Sequence, residues 1–166
     1  MSNDAIVMLK EDHKQVRSLF RKFEQAGDDA EATKARVVDE ILEALTVHTY
    51  IENEGMYPAV RAMVPDLTDD ILESLEEHHV ADVLCTELAA MSPEHEHFDA
   101  KVTVLIENVE HHIEEEEGEW FPKVREALGR NDLQQIGARL GELREKAPRH
   151  PAQPGALKKA VKALVS

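Results

Sequence analysis

Four segments of this 166-residue chain carry apolar side chains three and four residues apart, and each of the four also places a histidine in line with that spacing. Such spacing buries one side only of an α-helix, so the chain has to gather several helices around a shared interior. The first helix is expected from about residue 4 to 26, with Leu9, Val16, Phe20 and Phe23 on its stripe, stopping at Gly27-Asp28-Asp29. The second runs from about 32 to 64 through Val38, Ile41 and Leu45, with Pro58 expected to kink it by removing an interior hydrogen bond. A third follows Pro65, with Thr68-Asp69-Asp70 as its expected N-cap, and reaches about Met91. The fourth opens near Phe98 and carries Val102, Leu105 and Val109 to about Leu128. Aromatic residues make up only 4% of the chain and alternating β-branched runs are absent, which leaves little to build a sheet from. The fold class is all-α: a four-helix bundle over residues 1–130 with a short helical extension. That extension comprises an additional helix over 131–147, a Pro-rich linker at 148–155 and a short basic helix at 156–166 with Lys158, Lys159 and Lys162.

The bundle repeats itself. His48-Thr-Tyr-Ile-Glu52, followed by Tyr57-Pro58, aligns without a gap on His112-Ile-Glu-Glu-Glu116, followed by Phe121-Pro122. Upstream, Glu11-Asp12-His13 parallels Glu76-Glu77-His78, and the separations of 35 residues (His13 to His48) and 34 (His78 to His112) agree. This register selects His78 over His79 and His112 over His111.

Residues four apart share a helix face, so His48 with Glu52, and His112 with Glu116, each project as a pair. Both pairs continue apolar stripes, and His13 falls between Leu9 and Val16. Two carboxylates buried among aliphatic side chains cost several kcal/mol each unless cations compensate them. Metal ions are the compensation this pattern predicts. Four imidazoles and two carboxylates suit iron, and less well manganese or zinc, whereas copper(I) would favour sulfur. Two ions fit a twice-repeated set better than one, and the pair would leave a net positive site that favours anionic ligands.

The pattern of one histidine, then His-x-x-x-Glu, repeated, with an aromatic-Pro signature after each glutamate, resembles the hemerythrin HHE family over about residues 5 to 128. That resemblance implies an up-down bundle with two non-haem iron ions, oxo- or hydroxo-bridged. It assigns His13 and His48 to one iron, His78 and His112 to the other, and Glu52 and Glu116 as bridges. It further implies a small-molecule partner: dioxygen, nitric oxide or hydrogen peroxide. One departure stands out, since oxygen-carrying members have a further histidine one turn after the third-helix ligand, and here that position is Asp82. Three functions follow as expectations: reversible capture of a small oxidant, redox turnover of peroxide or nitric oxide, or iron storage and regulation. The departure tilts the balance toward turnover.

Three residues are further metal candidates. Asp82 could substitute for the absent histidine, although the repeat aligns it with Arg17 and an outward position. Tyr50 and Tyr57 are phenols, good ligands for ferric iron, but each lies roughly 160 to 200° around an unbroken helix from His48. Cys85 aligns with Phe20 and reads as a buried apolar residue. Asp and Glu number 34 against 19 Lys and Arg, a net charge of -15, which argues against nucleic acid or an anionic membrane as partner. The basic helix at 156–166 is left as an element that docks on the acidic bundle or on a protein partner. One cysteine cannot form an internal disulfide, no signal-peptide pattern opens the chain and no apolar run reaches a membrane span, so a cytoplasmic setting is expected.

Overall fold

A computed structural model describes residues 3–27 and 30–151. Seven α-helices occur among them: α1 (Ala5–Gln25), α2 (Glu31–Ile51), α3 (Tyr57–Met63), α4 (Thr68–Ala89), α5 (Phe98–Glu115), α6 (Phe121–Ala127) and α7 (Arg130–Lys146). α1 packs along α2 and α4 along α5, the members of each pair being consecutive in the chain, which gives the up-down bundle. Asp4 starts α1 by accepting a hydrogen bond from the Val7 amide at 3.1 Å, and the Arg125 guanidinium on α6 grips the same carboxylate. Thr68 departs from its expected capping role: it lies inside α4, and its hydroxyl donates to the Pro65 carbonyl at 2.7 Å. The basic helix expected at 156–166, and the linker beyond residue 151, lie outside the described residues.

The expected kink at Pro58 takes another form. α2 passes into α3 through a π-helical turn, Glu52–Met56, and α5 passes into α6 through its repeat equivalent, Glu116–Trp120. In each turn the amide after it, that of Tyr57 or Phe121, reaches back five residues to the carbonyl of the motif glutamate. The proline then becomes the second residue of a new α segment, where its missing N–H costs nothing. The helix keeps its course and shifts phase by one residue, about 100°.

Two hydrophobic clusters sandwich the middle of the bundle. One gathers Val16, Phe20, Phe23, Val38, Ile41, Leu45, Val102, Leu105 and Val109 together with Cys85, which is buried as expected; burial also pushes its thiol pKa up. The other gathers Ile6, Leu9, Ile51, Met56, Tyr57, Phe121 and Val124, and α7 contributes Leu133, Ile136, Leu140 and Leu143 to it. α7 therefore belongs to the core, lying across α1, α2 and the first π turn. It approaches closely at Gly137, where an added Cβ would stand 1.5 Å from the backbone oxygen of Asn3. Gly137→Ala should therefore push the start of α1 off α7, costing about 1–3 kcal/mol as overpacking does. A thermal melt should fall by roughly 3–10 °C; an unchanged melt would mean that α7 docks elsewhere.

Candidate metal centre

His13, His48, Glu52, His78, His112 and Glu116 all meet between the two clusters, none more than 6% exposed. Glu52 Oε1 lies 2.7 Å from His48 Nε2 and 3.4 Å from His78 Nε2. Glu116 spans the same gap in the other sense, with Oε1 at 3.2 Å from His13 Nε2 and Oε2 at 3.3 Å from His112 Nε2. The ligating atoms form two groups: His13, His48, Glu52 and Glu116, and then Glu52, His78 and His112. His79 is half-buried and joins neither group, while His95, His97 and His150 are exposed.

Every one of the four imidazoles is held from behind. Nδ1 of His48 donates to Asp12 Oδ2 at 2.9 Å, and Nδ1 of His112 to Glu77 Oε1 at 3.0 Å. Nδ1 of His13 donates to Glu117 Oε1 at 3.2 Å, and Nδ1 of His78 to Asn53 Oδ1 at 2.7 Å. Three of these acceptors are carboxylates, which can only accept, so the ring hydrogen sits on Nδ1 and the Nε2 lone pair points at the centre. Asp12 and Glu77 precede the motif histidines, and Asn53 and Glu117 follow the motif glutamates, so the supporting positions repeat with the ligands although the residue types differ. Helical periodicity singles out none of these four and puts Glu117 on the wet face around Glu116; their adjacency to the motif in both halves is the signal that marks them. The rings obey the same symmetry: His13 meets His48 edge-on at 4.9 Å and 67°, and His78 meets His112 at 4.7 Å and 67°.

Whether these residues fit a metal is decided by their unpaired atoms. His13 Nε2, His48 Nε2, both oxygens of Glu52 and Glu116 Oε1 are buried with no hydrogen-bond partner among the described residues, although several lie within 3.4 Å of one another. They lie close together without making hydrogen bonds to one another. Unpaired buried acceptors cost several kcal/mol, and lone pairs facing one another repel, unless cations sit among them. The set fits metal ions. Without them protons do part of the work: burial pushes the His48 pKa down, but the charges of Glu52 and Asp12 outweigh it and lift it to about 10. His112 follows suit, its burial overcome by Glu116, while Glu52 is drawn well below the usual carboxylate range against its own burial, chiefly by His48.

The additional candidates separate. Tyr57 is 1% exposed, and the phase shift of the π turn swings it to the ligand side of the helix that an unbroken α-helix would deny it. Its hydroxyl donates to Glu116 Oε2 at 2.8 Å and lies 3.3 Å from His78 Nε2. Burial and the charges of Glu116 and Glu52 raise its pKa well above that of an ordinary phenol. Phe121, its repeat equivalent, stacks on His13 at 5.9 Å without a hydroxyl to offer. Tyr50 packs half-buried against the second hydrophobic cluster and enters no ligating group, its phase lying before the π turn can act. Asp82 is likewise outside both groups; it is half-buried, neither fully outward nor at the centre, and burial raises its pKa.

On the side of the first cluster, the four imidazoles face a cavity of about 20 Å³ walled by Val16, Leu45, Ala81 and Val109, with Glu77 and Asn108 also lining it. That is room for one water-sized molecule.

Comparison with known proteins agrees with this geometry. Residues 4–124 match the model of the hemerythrin HHE cation binding domain. The crystal structure of a hemerythrin HHE cation binding domain-containing protein from Mycobacterium kansasii superposes with a TM-score of 0.71 at 26% identity, covering 86% of this chain and 88% of that one. A DNA nickase from Nostoc sp. is 27% identical over 128 residues, which are 77% of this chain and 35% of the relative, so the chain spans about a third of that protein's length.

Proposed function

Because this chain belongs to the hemerythrin HHE cation-binding domain family, we propose that its cation site holds two non-haem iron ions and that their partner is a small oxidant: dioxygen, nitric oxide or hydrogen peroxide. His13 and His48 hold one ion, His78 and His112 the other, and Glu52 and Glu116 span both. The observation that carries this reading is the set of five unpaired buried acceptor atoms at the convergence of four oriented imidazoles. When bound, the iron pair supplies redox-active ions that can take up such a ligand. The chain's own residues favour a ligand of very few atoms, since the space of about 20 Å³ that the four imidazoles share with Val16, Leu45, Ala81 and Val109 is water-sized. The same closeness leaves no volume for a stored mineral and favours the oxidant reading over iron storage. A nicking activity, as in the name of the Nostoc relative, is disfavoured by the -15 net charge, which repels a phosphate backbone.

Turnover, the second reading, is favoured by one observation: the Tyr57 phenol holds a proton 2.8 Å from Glu116 Oε2 and 3.3 Å from His78 Nε2, in contact with two of the residues proposed to hold the ions. Metal analysis with optical spectra before and after adding peroxide tests both. Iron near two per chain with a visible charge-transfer band is expected, and iron-free protein overturns the proposal. Tyr57→Phe should keep its iron under either reading. It should slow peroxide consumption by roughly 10²-fold or more under turnover, within the range of one proton-transfer group, and leave it unchanged under reversible capture.

A further inference from the structure

The internal repeat allows the two halves to be compared position by position, and they differ on the outer side of the residues that support the histidines. Asp12, behind His48, is bridged by a cation. The Arg144 guanidinium of α7 reaches both Asp12 oxygens at 2.9 Å, and Val47 and Ile51 on the adjoining α2 are buried at 4% and 0% exposure. At the equivalent places in the second half stand Glu77, His111 and Glu115, where α7 does not lie. His111 Nε2 is 3.1 Å from Glu115 Oε1 and 3.8 Å from Glu77 Oε2, and the His111 side chain is 62% exposed. The ligating atoms of the three residues lie within 4.8 Å of one another, as a metal ion requires. Glu77 faces both ways: Oε2 belongs to this surface group, Oε1 accepts from His112 Nδ1, and the residue lines the cavity beneath the four imidazoles.

We infer that Glu77, His111 and Glu115 form a surface site for a divalent cation such as Fe²⁺, through which the buried centre is filled. An imidazole and two carboxylates from α4 and α5, with solvent completing the shell, make a three-residue donor set for a first-row ion. Helical spacing sets His111 and Glu115 on one side of α5, and the α4–α5 packing brings Glu77 to them. The entry role needs a group that touches both compartments, and Glu77 is that group. The apolar pair Val47 and Ile51 in the other half shows what these positions carry when a helix covers them. The loading role rests on the buried centre proposed above, whereas the surface site does not.

Anaerobic Fe²⁺ titration of the metal-free chain, with bound iron followed over time, tests both parts. Wild-type protein should take up two tightly held ions and one weaker one. His111→Gln and Glu115→Gln, each at a solvent-facing position, should weaken the third ion by about tenfold or more, slow the filling of the first two by a similar factor, and leave the final tight count at two. An unaltered third ion overturns the surface site, and an unaltered filling rate overturns the entry role. If wild-type protein holds no tight ion, the proposed centre fails, and Mn²⁺ binding read by electron paramagnetic resonance in wild type and His111→Gln still decides the surface site. Equal Mn²⁺ binding by the two would overturn it.

Discussion

His112→Ala is expected to lower bound iron well below two per chain and to abolish the charge-transfer band. His112 Nε2 stands 3.3 Å from Glu116 Oε2, 4.0 Å from Glu52 Oε1 and 3.1 Å from His78 Nε2, so its removal would take one of the two imidazoles proposed for the second ion and leave both glutamates short of a neighbour. The metal-free protein should suffer as well. His112 supplies positive charge beside Glu116, and withdrawing one partner from a buried ionic group typically costs about 3–5 kcal/mol. His79→Ala is the matched control: one residue from His78 but in neither buried ligating group, it should leave iron and spectrum unchanged. Full iron retention in His112→Ala, or loss of iron in His79→Ala, would show that the register of the ligands is wrong.

The second large effect is expected at a residue that does not face the centre at all. Asp12→Ala removes the acceptor of the His48 Nδ1 hydrogen and strands the Arg144 guanidinium, which holds Asp12 through two 2.9 Å contacts. Groups that orient a metal-binding imidazole are worth about 10–100-fold in metal affinity, and iron should be lost to a chelator faster by a factor in that range. Loss of a half-buried charge-assisted network adds about 1–3 kcal/mol of destabilisation, since Asp12 is nearly buried while Arg144 remains partly in water. Asp12→Asn should fall between wild type and alanine in metal retention, because an amide oxygen still accepts from Nδ1 but without the negative charge that strengthens the imidazole as a donor. Metal affinity equal to wild type in Asp12→Ala would mean that the His48 ring is oriented by packing alone.

Both effects depend on the same design, a ligand set duplicated on two helix pairs and broken in symmetry at a few places. Tyr57 replaces Phe121, Asn53 replaces Glu117, and Asp12 is paired with Arg144 where Glu77 lies beside His111. The repeat duplicates the buried histidines and glutamates; the departures from it make the surroundings of the two halves unequal.

The sequence by itself determined the helices and the inward histidines and glutamates, because both follow from local periodicity: a helix turns about 100° per residue wherever it lies, so residues four apart must share a face. His48 with Glu52, and His112 with Glu116, were legible for that reason, and the internal repeat chose His78 over its neighbour His79. The tertiary structure decided what depends on contacts between segments distant in the chain. A π turn, set by a backbone bond five residues long ahead of each proline, brought Tyr57 to the centre against the α-helical phase and left Tyr50 outside it. The packing of α7 on α1, 132 residues apart at Asp12 and Arg144, decided which supporting carboxylate is bridged by an arginine. Periodicity carries no record of such pairings, since it fixes directions around one helix axis and says nothing of which axis lies alongside.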